Sequence, residues 1–240
     1  MKDVVRANFD ASVEAYNRYE RQTGRFTALA RLLVAEMSNY GKGAFDAVLD
    51  AGAGTGVSTQ AVAERADRPV ALDISHEMLA QVASAPRVEG DFDYLPFTDD
   101  TFDAIAFTAS LFIVPDPTVA TQEAARVLRS GGVVGAVAPI GWVTANGTDV
   151  FADLDRESRS PTGADDVERA LADEFVVTTG TWRFATTADD VRLFHSIPAM
   201  AARLYPRLEP EDRVEKARDL LDTLSGTFEQ RWRWIVGVVE

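Results

Sequence analysis

Cysteine is absent from this chain of 240 residues, and histidine occurs at only two positions. Without a thiol, the chain cannot form a disulfide, bind a metal through thiolate or use a cysteine nucleophile. The two histidines, His76 and His195, lie far apart in the sequence, which leaves only carboxylates as metal ligands. Because abundant aspartate is more simply a solvated surface, no metal site is expected.

Lysine is also scarce: only Lys2, Lys42 and Lys216 are present, and the other basic residues are arginine. Acidic residues outnumber basic ones by 38 to 24, which gives a net charge of -14. This charge would repel a polyphosphate backbone, and no long run of basic residues offsets it. The sequence therefore argues against a nucleic-acid substrate, and its composition hints at a high-salt cytoplasm or a GC-rich genome.

Long hydrophobic runs are missing as well. The longest apolar stretch, 131–143, is short and interrupted by glycine and proline, so it would not cross a bilayer. Residues 1–10 carry charges and lack the apolar core of a signal peptide. We therefore expect a soluble, cytoplasmic protein without membrane insertion. At this length, 46% hydrophobic residues can bury one substantial core, which predicts a single domain over 1–240.

An apolar run that ends in an acid and alternating glycines organises the first half of the chain. Residues 45–51 predict a buried parallel strand, followed by a sharp turn through Gly52, Gly54 and Gly56 into a helix. Glycines permit a tight turn and close approach of a ligand, and the first amides of a helix are unpaired donors. Asp50 can accept hydrogen bonds from loop amides or from a cationic ligand. Such turns also occur with no ligand, and the stretch alone leaves that alternative open.

The segments that follow alternate between predicted helices and strands. A buried strand over 69–73 ends in Asp73, 21 positions beyond Gly52. An acid at this place in a nucleoside-binding sheet accepts hydrogen bonds from the two hydroxyls of a ribose. The other expected elements are helices over 58–66, 75–84 and 117–128 and strands over 87–90, 101–107 and 132–138. Such a series folds as a parallel sheet with ligands at the carboxyl ends of its strands.

Further elements are expected on both sides of this series. Residues 4–40 predict two helices separated at Thr23-Gly24. The second half of the chain predicts a helix over 165–174, a strand over 175–182, helix-like segments over 188–205 and 209–224 and a strand over 232–239. The fold class is therefore α/β: a Rossmann-like, doubly wound sheet of seven strands, mostly parallel with an antiparallel last strand. A helical lid is inserted between strands six and seven.

Several segments together resemble the class I S-adenosylmethionine-dependent methyltransferases, in the methyltransferase type 11 branch. The likeness is closest to the quinone-ring C-methyltransferases and the malonyl-carrier-protein O-methyltransferases. The matching segments are 48–56, 72–75 with Met78-Leu79, 90–91 with Leu95-Pro96-Phe97, Phe102-Asp103 and 126–132. They span roughly 45–140. Each piece alone is weak, but the ordered set is highly specific.

The resemblance implies S-adenosyl-L-methionine as the cofactor and relates residues to its parts. The glycines of the turn would contact the methionyl and ribose part, Asp73 the ribose hydroxyls and Asp91 the adenine amine. Ile74 and Phe92 would flank the adenine, and Thr108 would face the methionyl side. The full set of cofactor-binding candidates is Asp50, Gly52, Gly54, Gly56, Asp73, Ile74, Met78, Asp91, Phe92, Thr108 and Tyr16.

Two of these assignments have simpler interpretations. Asp91 can be a polar loop residue with Phe92 in the core, and Tyr16 and Tyr19 can be packing residues of an amphipathic helix. Members of this branch often cover the cofactor with an aromatic-bearing N-terminal helix, which favours Tyr16 as a contact. Residues 1–40 are accordingly predicted as cap helices within the single domain.

The second half of the chain departs from the family pattern, which usually joins strands six and seven by a short hairpin. Here about 183–227 intervene, rich in apolar and aromatic residues. We expect 41–140 to form the cofactor-binding core and 141–240 the substrate-side half with this lid. A lid of such composition can line a small-molecule pocket, or it can simply pack on the core.

The implied activity is methyl transfer by in-line displacement at a sulfonium, to a small-molecule or carrier-bound acceptor. Aligned reactants are worth about 7 to 11 kcal/mol, so a catalytic base is needed only for an acceptor such as a hydroxyl or carbon acid. His195, in the lid, is the candidate catalytic residue, although a helix-face histidine is the simpler interpretation. His76 is expected to face solvent, remote from the methyl group.

Other functions were weighed against this one. The fingerprint of a nicotinamide dehydrogenase has the spacing G-x-G-x-x-G, with the third glycine three residues after the second. In this chain the glycines fall at 52, 54 and 56 and position 57 is Val57, which argues against that function. A methyltransferase acting on protein and a cofactor-binding protein without catalysis stay as alternatives. The methyl acceptor and the oligomeric state are open, with a homodimer as one option.

Overall fold

The computed structural model describes residues 2–41, 43–152, 154 and 162–239. The helices are α1 (Lys2–Asp10), α2 (Val13–Thr23), α3 (Arg25–Tyr40), α4 (Val57–Ala63), α5 (His76–Leu79), α6 (Thr118–Val127), α7 (Ala164–Ala172), α8 (Ala188–His195), α9 (Pro198–Ala201) and α10 (Pro210–Leu221). The strands are β1 (Phe45–Ala51), β2 (Ala66–Asp73), β3 (Arg87–Glu89), β4 (Phe102–Thr108), β5 (Leu128–Val143), β6 (Val176–Thr187) and β7 (Thr227–Val238). A short 3-10 turn covers Leu111–Ile113.

The seven strands form one sheet in the order β3-β2-β1-β4-β5-β7-β6. Strands β3, β2, β1, β4 and β5 pair in parallel, whereas β5, β7 and β6 are antiparallel. The strand order reverses between β1 and β4, and an open α/β sheet binds its ligands at such a reversal, beside the carboxyl ends of the strands. This architecture confirms the predicted fold class.

Buried apolar side chains explain why β1 and β4 lie at the centre of the sheet. Both strands are buried along nearly their whole length, as expected for parallel strands covered on both faces. Helix α3 covers part of the sheet: a Cβ at Gly135 on β5 would lie 2.5 Å from Met37 Sδ. Glycine at this position therefore lets the helix approach the strand closely.

Asp103 joins the starts of three strands. One of its carboxylate oxygens accepts hydrogen bonds from the backbone N–H groups of Asp46 (3.1 Å) and Ala47 (2.8 Å) on β1. The other accepts from Arg129 Nη1 on β5 at 2.7 Å. These hydrogen bonds give a structural reason for the Phe102-Asp103 pair, one of the segments that carry the family resemblance.

The chain divides into two compact units. We call the first the helical unit; it comprises Met1–Gly24, Ile140–Pro161 and Trp182–Trp232. The second, the sheet unit, comprises Arg25–Pro139, Thr162–Thr181 and Arg233–Glu240. Helix α3, which the sequence placed with the cap helices, belongs to the sheet unit. The prediction of a single domain over 1–240 stays a prediction.

Several element boundaries differ from the predicted ones. The N-terminal segment forms three helices, because the buried hydroxyl of Ser12 donates to Asn8 O at 2.6 Å and accepts from the N–H of Ala199 at 3.1 Å. A serine that binds backbone in this way interrupts the helical ladder. Helix α5 is a single turn, after which the chain continues through i to i+3 hydrogen bonds into Val82, packed with Ala53. Strand β5 extends to Val143, five residues beyond its predicted end at Ala138.

Every helix within the described ranges is too short or too polar to span a lipid bilayer. Residues 153 and 155–161, which belong to the substrate-side half predicted over 141–240, lie outside those ranges.

Candidate functional site

The glycine turn is tied to the end of the neighbouring strand. Gly52 has φ +80°, a conformation that glycine adopts without steric cost. The N–H groups of Gly52 and Ala53 both donate to the carbonyl oxygen of Leu72, at 2.8 and 3.0 Å. The turn after β1 and the carboxyl end of β2 therefore hold each other in place.

Three loops meet at Gly52. A Cβ added there would lie 2.4 Å from Ser110 Cβ and 2.9 Å from Phe92 Cζ, closer than real carbon atoms approach. Ser110 is itself fixed, because its hydroxyl donates to the carbonyl oxygen of Ala51 at 2.7 Å. The absence of a side chain at position 52 thus keeps the loops after β1, β3 and β4 together.

Asp73 ends β2 and is 7% exposed. One carboxylate oxygen accepts from the N–H of Gly54 at 2.8 Å, and the other accepts from the N–H of Ser75 at 2.8 Å. The hydroxyl of Ser75 in turn accepts from the N–H of Met78 and caps α5. The carboxylate is therefore oriented by backbone donors on both sides, in the loop where sequence reasoning predicted it.

Asp50 is fully buried at the end of β1. One of its oxygens, Oδ2, accepts hydrogen bonds from the hydroxyls of Ser58 (2.8 Å) and Thr59 (2.6 Å) on α4. The other oxygen, Oδ1, has no hydrogen-bond partner among the described residues. Burial raises the pKa of Asp50 to about 6; the two hydroxyls oppose this effect, and the charge of Asp73 adds to it. A buried acid with one unsatisfied oxygen is suited to a cationic ligand.

The loop after β4 carries a second unsatisfied oxygen and a strained residue. The hydroxyl oxygen of Thr108 is buried and has no hydrogen-bond partner in the part of the chain that the structure describes. Ala109, next in the chain, has φ +55°. For a residue with a Cβ, this left-handed conformation costs about 1 to 2 kcal/mol, and such strain concentrates at functional sites.

The predicted adenine side lies in the loop after β3. Phe92 packs edge-on against Phe107 of β4, with ring centroids 5.5 Å apart, and both Asp91 and Phe92 are half-buried. Asp91 accepts a hydrogen bond from the N–H of Asp93 at 3.1 Å. Ile74 is half-buried and Met78 fully buried. Asp91, Phe92, Ile74 and Met78 all stay predictions as cofactor contacts.

Sequence reasoning missed the role of Arg126, on α6, which anchors this loop. Its guanidinium donates twice to Glu123, at 2.7 Å each, and to Asp99 at 2.9 Å. It also donates to the carbonyl oxygens of Phe97 (2.8 Å) and Leu95 (3.0 Å). All five N–H donors of the side chain are thus used. The two matched segments, 95–97 and 126–132, are in contact through this residue, and their joint presence in the sequence was the available signal.

The candidate base, His195, lies in the helical unit among aromatic rings. It is 5% exposed, with ring centroids of Trp142, Phe151 and Phe194 at 5.2 to 5.3 Å. Its Nδ1 lies 2.8 Å from the carbonyl oxygen of Val191. Because a carbonyl oxygen only accepts, Nδ1 is the donor in this contact, which fixes the orientation of the ring.

Two further predicted residues lie apart from these clusters. Tyr16 is half-buried on α2 in the helical unit, and its cofactor contact stays a prediction. His76 is exposed and pairs with Glu89 at 3.1 Å. Across the described residues, no three histidine, aspartate or glutamate side chains are grouped as metal ligands would be.

Comparison with known proteins adds an independent line of evidence. Residues 49–136 match a family model described as a methyltransferase domain. A demethylmenaquinone methyltransferase from Mycolicibacterium paratuberculosis is 44% identical over 100 residues, which are 41% of this chain and 44% of that protein. The chain thus matches less than half the length of this curated relative.

Solved structures share the fold at low sequence identity. The YcgJ protein from Bacillus subtilis has a TM-score of 0.61 at 19% identity, over 89% of this chain and 98% of that one. A SAM-dependent methyltransferase from Thermotoga maritima has a TM-score of 0.55 at 16% identity, over 98% of this chain and 100% of that one. The match to the family model places the glycine turn, Asp73 and the Arg126 anchor in one known unit. Residues 49–136 are thus similar to the methyltransferase-domain family, and the curated relative given above is itself a methyltransferase by name.

Proposed function

We propose that this chain is an S-adenosylmethionine-dependent methyltransferase that acts on a small-molecule or carrier-bound acceptor. One observation carries the proposal: the glycine turn, the backbone-bound carboxylate of Asp73 and the unsatisfied oxygen of Asp50 lie within one loop cluster at the strand ends. The methyltransferase domain over 49–136 contains all three. The whole protein's activity is inferred, since the matched relative is covered over less than half its length.

The residues present fit this cofactor. Its methionyl ammonium is a cation, and Asp50 offers a buried carboxylate oxygen without a hydrogen-bond partner among the described residues. Position 52 has no room for a side chain, so backbone rather than side chains faces a ligand there. Asp73, oriented by Gly54 and Ser75, would hold the ribose hydroxyls, because a carboxylate oxygen can accept more than one hydrogen bond. When bound, the cofactor supplies an electrophilic methyl group on a sulfonium.

The protein's part in such a reaction is alignment and exclusion of water. Fixed alignment of the reactants is worth about 7 to 11 kcal/mol. The hydrogen bonds around Gly52 and Asp73 would contribute to it, because they fix the loops that would hold the cofactor. At the end of β4, the hydroxyl of Thr108 offers a polar group to the site, and the strained backbone of Ala109 holds the chain in a fixed conformation beside it. No charged side chain is required to activate a sulfonium.

His195 is the proposed general base for an acceptor that must lose a proton. Its Nδ1–H donates to the carbonyl oxygen of Val191, which fixes the orientation of the ring, and a base role would place proton uptake at Nε2. The name of the relative given above, demethylmenaquinone methyltransferase, indicates that it methylates a quinone precursor. Methylation of a ring carbon acid of that kind would need such a base. We therefore place reduced quinone-type aromatics first among candidate acceptors, ahead of carrier-bound acids.

The test is transfer of a labelled methyl group from S-adenosylmethionine to a panel of a demethylated naphthoquinol, an acyl-carrier thioester and a basic peptide. We expect transfer to the naphthoquinol or the thioester. Transfer to the peptide alone would instead establish a protein methyltransferase. Binding of the cofactor without transfer to any of them would favour a non-catalytic binder.

His195→Gln tests the base, with exposed His76→Gln as its matched control. We expect kcat to fall by about 10² to 10⁴ in His195→Gln and to stay within about twofold in His76→Gln. His195→Phe keeps an aromatic ring among Trp142 and Phe194 and should show the same loss if the folded state is retained. An unchanged kcat in a folded His195→Phe protein would exclude the base role.

A further inference from the structure

The helical unit contains a groove of about 340 Å³ lined by arginines from three helices. Arg18 comes from α2, Arg192 from α8 and Arg218 from α10. We call this feature the arginine groove; Gln22, His195 and Ser196 also line it. No sequence motif accounts for it, and His195 is the one lining residue that the proposed methyltransferase activity also uses.

Arg192 is held rigidly at this groove. Its Nη1 donates to the carbonyl oxygens of Leu221 (3.0 Å) and Leu224 (2.8 Å) beyond the last turn of α10. Its Nη2 donates to Asp189 at 2.6 Å. These bonds fix the plane of the guanidinium before any ligand arrives, so little side-chain entropy would be lost on binding.

The other two arginines, Arg18 and Arg218, form no ion pair with a carboxylate among the residues that the structure describes. Arg18 donates to the hydroxyl of Ser196 at 3.2 Å, and no ion pair of Arg18 occurs among the described residues. Arg218 has neither a side-chain hydrogen bond nor an ion pair within the same part of the chain. By contrast, Arg31, Arg68 and Arg233 each pair with an acid. Arg18 and Arg218 thus bring two positive charges to the arginine groove, and no ion pair among the described residues offsets them.

The local charge opposes that of the whole chain. Three arginines and one acid, Asp189, line the groove, whereas the protein carries a net charge of -14. An adjoining recess shares Arg18 with the groove, but its other charged lining residues are the acids Glu14, Glu209 and Asp212. An anion would be repelled from that recess, which confines the site to the arginine groove.

We propose that the arginine groove binds the phosphate group of a small-molecule phosphate monoester. Guanidinium groups match phosphate oxygens in geometry, and three of them approaching from different helices suit a tetrahedral dianion better than a planar carboxylate. Leu193 and Val214 also line the groove and offer apolar contact to the organic part of the ester. The proposal goes beyond methyl transfer and does not depend on cofactor binding.

The experiment is calorimetric titration of phenyl phosphate and inorganic phosphate into the protein in a chloride buffer of constant ionic strength, without cofactor. We expect saturable binding of phenyl phosphate, tighter than that of inorganic phosphate. In Arg18→Gln/Arg218→Gln the dissociation constant should rise by at least about tenfold, because two charge-assisted contacts are lost. Inorganic phosphate binding as tightly as phenyl phosphate would overturn the assignment to an ester.

The matched control is Arg21→Gln/Arg65→Gln, which removes the same charge from two exposed arginines outside the groove. Its affinity should stay within about twofold of the wild type, since neither arginine lines the groove and neither can donate to a phosphate bound there. An equal loss of affinity for phenyl phosphate in both double variants would overturn the proposal. So would the absence of saturable binding of phenyl phosphate by the wild type. Circular dichroism and urea denaturation of both double variants check that each is folded, so that the result does not depend on whether the protein binds S-adenosylmethionine.

Discussion

The backbone N–H of Gly54 donates to a carboxylate oxygen of Asp73 at 2.8 Å, joining the glycine turn after β1 to the acid that ends β2. These two residues lie 19 positions apart in sequence, yet each limits the conformation of the other. The turn cannot move without releasing the acid, and the acid cannot rotate without freeing the turn. A ligand that contacts either residue would therefore meet a position that the other helps to fix.

Gly52→Ala should disrupt the meeting point of three loops. A left-handed φ costs an alanine about 1 to 2 kcal/mol, and overpacking adds about 1 to 3 kcal/mol. Gly131→Ala is the matched control, since Gly131 has φ +73° and no heavy atom within 4 Å of an added Cβ. Urea denaturation should show a clearly larger loss for Gly52→Ala, together with loss of cofactor binding. Equal losses of stability would mean that contact with Ser110 and Phe92 is unimportant.

Asp50→Asn should change how stability depends on pH. The pKa of Asp50 is raised to about 6, so the folded protein binds this proton more tightly than the unfolded chain does. Its stabilising effect is present below about pH 4 and is lost as the pH rises through about 6, up to about 3 kcal/mol in all. Relative to Asp50→Asn, the wild type should therefore gain stability on acidification from about pH 7.5 to about pH 4.5.

Asp116→Asn is the control for this experiment. Hydrogen bonds from Thr118 lower the pKa of Asp116, so its contribution is lost only as the pH falls through values below the usual range of an aspartate. Relative to Asp116→Asn, the wild type should show no change of stability over the same pH interval. A difference between wild type and Asp50→Asn that is also independent of pH would show that the Asp50 carboxyl is not perturbed.

Arg126→Gln should loosen the loop that carries Asp91 and Phe92. We expect a loss of about 2 kcal/mol in the free energy of unfolding, because the change leaves Glu123 and two carbonyl oxygens short of donors. Hydrogen exchange in residues 91–97 should accelerate. Arg31→Gln, which removes one exposed ion pair with Glu64 at 3.4 Å, should cost less than about 1 kcal/mol. Unchanged exchange in 91–97 would contradict the anchoring role.

The parts of the fold that sequence reasoning found are those with a local cause. Strand β1 and its glycine turn, and the acid at the end of β2, follow from an apolar run and from residues that tolerate φ above zero. The predicted fold class and the family resemblance are both confirmed. The fold class rests on the order of helices and strands along the chain, and the resemblance rests on an ordered set of short segments; both patterns are visible in the sequence itself.

What sequence reasoning missed depends on contacts between distant segments. The break at Ser12 requires Ala199, and the anchoring role of Arg126 requires carbonyl oxygens about 30 positions earlier. Arg18 and Arg218, which form no ion pair with the described residues, come together only in the folded helical unit. No periodicity in the sequence signals such pairs, because their partners are backbone groups or residues from other helices.

Calorimetric binding of S-adenosylmethionine and of its demethylated product tests the central claim most directly. The wild type should bind both ligands, with dissociation constants near the micromolar range. The affinity of Asp73→Ala for both ligands should be at least about tenfold lower. Asp67→Ala removes an exposed acid from the other end of β2 and should bind as the wild type does. Absence of binding to the wild type, or equal affinity in Asp73→Ala, would contradict the assignment of this site.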